Sequence, residues 1–194
     1  MGAIGGLVVF GLPMLIIAFI IRRSSRGPAL YRSQRVGLHG ELFELLKFRT
    51  MVQDADQVGP SSTTAEDPRI TPIGHLLRRW KLDELPQFLN VLRGEMSLVG
   101  PRPQVKWAVD RYDERERRLL TIRPGITDWA SIRFRDEAGI LAGHPDADAA
   151  YLELIEPEKL RLGLKYVDEQ SLITDLRIIW LTIKSVFTKD GIEL

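Results

Sequence analysis

The sequence predicts an α-rich α/β protein with little sheet, in which an apolar N-terminal segment precedes one charge-rich domain. Three observations predict it. Residues 2–21 carry no ionisable side chain, and Arg22, Arg23 and Arg26 follow directly. Helix-period apolar patterns dominate the remainder of the chain. Runs with strand character are few and short.

Size and composition narrow the classes. The chain has 194 residues, enough for one domain with a real core and short for two. Lys and Arg total 27 against 26 Asp and Glu, so the net charge is only +1. A nucleic-acid binder carries a large excess of one sign, and that class is set aside. The absence of cysteine removes disulfides, thiolate metal sites and cysteine catalysis together. His39, His75 and His144 have no metal-ligand spacing, which argues against a zinc site.

Residues 1–26 form the membrane-embedded unit and 27–194 a cytosolic domain. A stretch of 20 uncharged residues reaches roughly 30 Å as a helix, the thickness of a bilayer core. No basic stretch precedes it and no small-residue cleavage site follows, so a signal peptide fits poorly. Pro13 removes a backbone donor and crowds the preceding turn, so the helix is expected to kink or break there. Two arrangements follow: a kinked span, or a re-entrant hairpin that leaves by the leaflet it entered. In both, Arg22, Arg23 and Arg26 mark the cytoplasmic side.

Gly27-Pro28 ends that unit. Ala29–Val36 and Leu42–Phe48 are short extended segments around a turn at Gly37–Gly40. Residues 53–71, rich in Asp, Ser, Thr, Gly and Pro, form a loop. Ile73–Trp80 is a helix. Leu82, Leu85, Phe88, Leu89 and Leu92 recur at helical spacing and Gly94 closes that helix. Met96–Val99 is a short strand running into Gly100-Pro-Arg-Pro103. Residues 104–120 form a charged helix, 123–127 a turn, and 146–165 a further helix. The last helix, Ser171–Phe187, gathers Leu172, Leu176, Ile179, Ile183 and Val186 on one face. That amphipathic face packs in the core or lies in the membrane interface.

Three features carry chemistry. Leu82-Asp83-Glu84-Leu85-Pro86 places two carboxylates at a helix start, because Pro86 is comfortable only in a first turn. There they can share one small volume, although Asp83 could equally be a simple N-cap. Arg102 stands between Pro101 and Pro103, a backbone stiff enough to hold a guanidinium for a bidentate grip on phosphate. Arg35, Lys47, Arg49, Arg78, Arg79, Arg102, Arg123, Arg133 and Arg135 would neutralise a pyrophosphate if the fold gathers them. No glycine-rich nucleotide cradle is present.

With these residues in hand, the chain resembles the bacterial sugar transferases, in particular the monotopic polyprenyl-phosphate phosphoglycosyltransferases. The resemblance runs through GPALYRSQRVG (27–37), FELLKFRTM (43–51), LDELPQFLNVLRGEMSLVGPRP (82–103), RPGIT (123–127) and SLITDLRIIWLTIK (171–184). It implies a re-entrant helix broken at Pro13 and a place on the cytoplasmic face of the bacterial inner membrane. It implies transfer of a sugar-1-phosphate from a nucleotide-sugar, a UDP-sugar in the main, to undecaprenyl phosphate, with nucleoside monophosphate released. Asp83 would attack and form an aspartyl-phosphosugar, and Glu84 would bind Mg²⁺. Arg78 and Arg102 would line the phosphate site and Arg135 the nucleotide, with Lys47 and Arg49 as further substrate-binding residues. The partners implied are donor, polyprenyl phosphate and membrane lipid, and homodimerisation is among the arrangements allowed. A nucleotide-sugar hydrolase and a non-catalytic binding protein are the rival readings. Two departures from the family pattern stand out. Leu12 replaces the usual serine before the breaking proline, with no basic stretch ahead of it, as in a shortened N-terminus. Asp128-Trp129-Ala130-Ser131 replaces Gly-Trp-Ala-Gln, in a region expected to bear on sugar or nucleotide choice.

Overall fold

The computed structural model describes residues 2–58, 63, 64 and 66–186. It is helix-rich, with two small two-stranded sheets. Helix α1 (Gly2–Ser24) contains Pro13 and continues through it. The expected break at Pro13 is therefore not a helix end. One proline costs a single intrahelical bond, and contacts on both sides of it hold the helix to the domain. Gly6 lies against the Phe88 ring, where a Cβ would come within 2.5 Å. Phe10 stacks on Phe88 with ring centroids 6.0 Å apart. Beyond the proline, Met14, Ile17, Ala18 and Ile21 pack with Ala29, Phe48 and Leu77. Residues 6, 10, 14, 17, 18 and 21 make one stripe at helical spacing. The opposite side, including Val8, Leu12, Leu15 and Phe19, is exposed.

The extended segments form an antiparallel hairpin, β1 (Leu30–Val36) and β2 (Leu42–Phe48), in register from Leu30↔Phe48 to Val36↔Leu42. His39 and Gly40 take positive φ, which closes the turn. The loop at 53–71 holds a single 3₁₀ turn, Ala55–Gln57; residues 59–62 and 65 of it lie outside the described residues. Helix α2 (Pro72–Arg79) starts at Thr71, whose Oγ1 accepts from Gly74 N. The helix expected across 82–92 divides into a 3₁₀ turn, Leu82–Glu84, and α3 (Gln87–Leu92), because Pro86 starts the second piece. Asn90 of α3 is fully buried and pins it to β2: its Oδ1 accepts from Leu46 N and its Nδ2 donates to Glu44 O.

Strand β3 (Ser97–Val99) follows, and helix α4 is only Lys106–Val109. The single helix expected over 104–120 is replaced by α4 and a 3₁₀ segment, Glu116–Thr121. Asp113 and Glu116 exchange backbone–side-chain hydrogen bonds, a reciprocal cap that starts a new element. The expected turn at 123–127 ends in β4 (Gly125–Thr127), which pairs parallel to β3. A Cβ on Gly125 would meet Gly100 N at 2.1 Å, and one on Gly100 would meet Arg123 O at 2.4 Å. Only glycine allows these two backbones to touch, so GPRP and RPGIT are clamped together.

Helices α5 (Trp129–Arg133), α6 (Glu137–Ile140), α7 (Ala147–Leu154), α8 (Glu156–Glu169) and α9 (Leu172–Val186) complete the chain. The helix expected at 146–165 breaks at Ile155 because Pro157 begins α8. Phe187, expected to close α9, lies outside the described residues. Val99, Trp129, Ile132, Leu162, Tyr166 and Ile178 form a core joining β3, α5, α8 and α9. On α9, Leu172, Ile173, Leu176, Trp180 and Ile183 remain exposed.

Candidate active site

A single cleft of about 1740 Å³ runs from α1 past Asp83 and Glu84 to α6, α7 and α8. The dyad reaches it through a local turn. Lys81 takes a left-handed conformation, φ 55°, and starts the 3₁₀ turn Leu82–Glu84. Leu82 and Leu85 pack into the cluster of Ile21, Phe48 and Leu77. The residues between them are thereby turned toward the cleft. Asp83 is buried and caps nothing: its Oδ1 has no hydrogen-bond partner among the described residues. The simple N-cap reading of Asp83 is therefore corrected. A buried carboxylate oxygen without a donor costs stability, and such atoms in native folds call for a ligand or a function.

Glu84 is held tightly. Its Oε1 accepts from Lys47 Nζ at 2.9 Å and from Arg102 Nη2 at 2.7 Å. Its Oε2 is approached only by Arg102 Nη1 at 3.5 Å. Burial by itself pushes the Glu84 carboxyl up, but Arg102 and Lys47 outweigh that and hold it well below the usual carboxylate range. Asp83 goes the other way. Burial raises its carboxyl, with Lys47 and Arg78 pulling back and the Glu84 charge adding to the rise. Two adjacent carboxylates are thus split, one firmly ionised and one destabilised as an anion, a pattern typical of reactive pairs.

The cations converge in part. Arg35, Lys47, Arg78, Arg79, Arg102 and Arg135 line the cleft. Arg78 donates to Thr50 Oγ1 at 2.9 Å, which fixes it beside Asp83. The guanidinium fork of Arg102 closes on Glu84. Arg135 donates to the carbonyls of Arg79 and Val186 at the cleft edge. Arg49 also lines the cleft, with its guanidinium bound to backbone. It is 7% exposed and its guanidinium donates to the carbonyls of Ser25, Arg26 and Pro28. These bonds tie the end of α1 to the residue that follows β2, an architectural role beside its place in the cleft wall. Arg123 donates to Gly94 O, and neither it nor Arg133 lines the cleft.

No group of three or more acidic or histidine side chains is arranged for a metal among the described residues. Acceptor capacity near the cations remains on the Asp83 carboxylate, Oδ1 included, and on Glu84 Oε2. Two carboxylate oxygens suit a hard divalent ion that takes its other ligands from phosphate and water. Asn90, Lys81 and Thr50 support the site and escaped the sequence reading. Asn90 alone left a trace, a lone amide within an apolar helix.

Comparison with known proteins decides the class. The chain matches the profile of the bacterial sugar transferases over residues 1–189. The chain belongs to the bacterial sugar transferase family. It is 36% identical to the galactosyl transferase CpsE of Streptococcus agalactiae, covering 98% of this chain and 41% of that protein. It is 34% identical to an Aeromonas hydrophila UDP-N-acetylgalactosamine-undecaprenyl-phosphate N-acetylgalactosaminephosphotransferase, over 98% of this chain and 43% of the relative. It is 38% identical to the UDP-glucose:undecaprenyl-phosphate glucose-1-phosphate transferase of Escherichia coli, over 86% and 34%. This sugar transferase chain thus spans less than half the length of those three relatives.

Proposed function

We propose that this chain transfers a sugar-1-phosphate from a UDP-sugar to undecaprenyl phosphate, at the cytoplasmic face of the bacterial inner membrane. The observation that carries the reading is Asp83. It is a buried carboxylate with a partnerless oxygen, inside a cation-lined cleft whose other wall is the apolar helix α1. The names of the relatives, which include transferases acting on undecaprenyl phosphate, agree with it.

In this mechanism an Asp83 oxygen attacks the donor's β-phosphorus. The bond to the α-phosphate oxygen breaks, UMP leaves with the electron pair, and an aspartyl-phosphosugar remains. A phosphate oxygen of the lipid then attacks the same phosphorus and expels the Asp83 carboxylate. Lys47, Arg78 and Arg102 offset the charge of the two phosphates. Glu84, with Asp83 as its neighbour in sequence, would hold Mg²⁺, which would supply further charge neutralisation to the phosphoryl group. Splitting the reaction lets a soluble donor depart before a lipid acceptor arrives.

Leu15, Ala18 and Phe19 of α1 line the same cleft as the dyad, which supports entry of the lipid along that helix. The contacts of both Gly6 and Ile21 with the domain support a monotopic seat. A helix crossing the bilayer would carry its first half away from the domain. The exposed stripe Leu172, Ile173, Leu176, Trp180 and Ile183 suits an interfacial helix lying beside it.

Two measurements test this reading. With the purified chain in detergent, at most about one equivalent of UMP per enzyme is expected without undecaprenyl phosphate, and repeated turnover only when it is present. Release at the same rate in water alone would make the protein a hydrolase, and no release would make it a binder. For topology, Gly5→Cys in this cysteine-free chain places a thiol where a Cβ meets nothing within 4 Å. An impermeant maleimide is expected to label it in inverted vesicles and not in intact cells. Labelling from the periplasmic side would establish a span.

A further inference from the structure

The lining of the cleft divides into three stretches with three chemistries, here called arms. Toward α1 it is apolar: Leu15, Ala18 and Phe19. Toward α2 it is cationic: Arg78, Arg79 and Arg135. Beyond Arg102 it changes again, to an acid, an amide, a phenol and a buried ammonium. There Glu137 at the start of α6 pairs with Lys159 of α8, Nζ to Oε2, at 2.5 Å. The same Nζ lies 4.9 Å from the centroid of the Tyr151 ring on α7. The Lys159 side chain is 9% exposed, whereas that of Glu137 is 34% exposed and opens on the cleft. Gln104 and Tyr151 both line this stretch, and burial together with the Glu137 and Glu156 charges keeps that phenol protonated. Arg102 feels both carboxylates, Glu84 on the dyad side and Glu137 on the other.

Resting on the transfer reaction above, we infer that this third arm holds the hexose ring of the donor, with Glu137 as its hydroxyl acceptor and the residue that selects among sugars. The reasoning is chemical. A phosphorus in contact with Asp83 has its sugar one bridging oxygen away, and Arg102 lies at that boundary. A hexose is uncharged and rich in hydroxyls, so it gains nothing from the cationic arm and loses its hydration in the apolar one. It gains most from a fixed anionic acceptor flanked by neutral donors. Lys159 is a positioning residue: its ammonium, covered by Tyr151, fixes the Glu137 carboxylate at one end and leaves the other oxygen for a hydroxyl. Burying that lysine costs free energy, and an unliganded wall would be built more cheaply from apolar side chains. Discrimination between hydroxyl epimers follows, because a misplaced hydroxyl leaves the held carboxylate without a donor.

The test uses the full chain in nanodiscs with undecaprenyl phosphate. Wild type is first assayed for UMP release with UDP-glucose, UDP-galactose and their N-acetylamino counterparts. For the fastest donor and its C4 epimer, kcat/KM is then compared in wild type and Glu137→Gln. The expected result is a fall of about tenfold or more for the preferred donor, carried by KM, with the preference over the epimer shrinking. The UMP inhibition constant should stay unchanged. Tyr151→Phe, which removes one hydroxyl and keeps the ring over Lys159, should narrow the preference by a smaller factor, and covers the case of a poorly folding Glu137 variant. An unaltered epimer ratio in both variants would overturn the assignment. Absence of turnover with every donor in wild type would instead overturn the transfer reaction itself.

Discussion

Asp83→Asn is expected to reduce transfer to background, a loss of roughly a thousandfold or more, while the protein melts no lower than wild type. The two halves of this result have separate causes. The nucleophile's charge is gone, so no acyl-phosphate forms. The fold is spared because Asp83 caps no helix and its Oδ1 has no partner to lose. Burial raises the Asp83 carboxyl above its ordinary value, so its ionised form is destabilising at neutral pH. Removing that charge relieves the fold rather than weakening it. The same shift sets the pH profile of the wild type. The reactive form is the anion, so kcat/KM should fall as pH drops through the raised Asp83 value. Lys47, Glu84, Lys81 and Arg78 are the charges that set where this occurs. Near wild-type turnover in Asp83→Asn, measured with thermal unfolding on the same sample, would end the assignment.

The second large effect belongs to Glu84. With excess chelator, turnover should vanish and return on adding Mg²⁺. In Glu84→Gln the Mg²⁺ concentration for half-maximal rate should rise by about tenfold or more, with a deep loss of kcat. This variant should also melt lower, unlike the Asp83 one. Lys47 and Arg102 both converge on Glu84 Oε1, and neutralising it leaves two half-buried cations facing each other. Full activity in chelator would exclude the metal, and an unchanged Mg²⁺ titration in Glu84→Gln would exclude this ligand.

The sequence discloses short-range physics well. Turn residues locate both strands of the hairpin, and the helix expected at Ile73–Trp80 is α2 to within a residue at each end. The dyad, Arg102, Lys47 and Arg78 are recognisable from motif and spacing, and they meet at one cleft. What fails is punctuation inside polar stretches. Asp113 with Glu116 and Pro157 each start an element within a run that reads as one continuous helix. Strand β4 is invisible at three residues, because its identity lies in its pairing with β3. The role of Arg49 depends on carbonyls more than 20 residues away. In α1 the failure has another origin. Every side chain from residue 2 to 21 is uncharged, so hydropathy cannot distinguish the face that meets Phe88 from the face left exposed.

The grip on α1 has a mechanical consequence. Phe88 receives Gly6 and Phe10, and it lies four residues after Glu84 on the helix that follows the dyad. The anchor contact and the dyad therefore sit on two consecutive short elements, joined only by Leu85 and Pro86. A domain on a flexible leash would sample many heights above a bilayer and meet its lipid by chance. In the proposed membrane seat, the depth of α1 would fix the altitude of Asp83. The headgroup of the proposed acceptor would then arrive at one level, and thickening or thinning the bilayer is expected to retune turnover as a change of focus would.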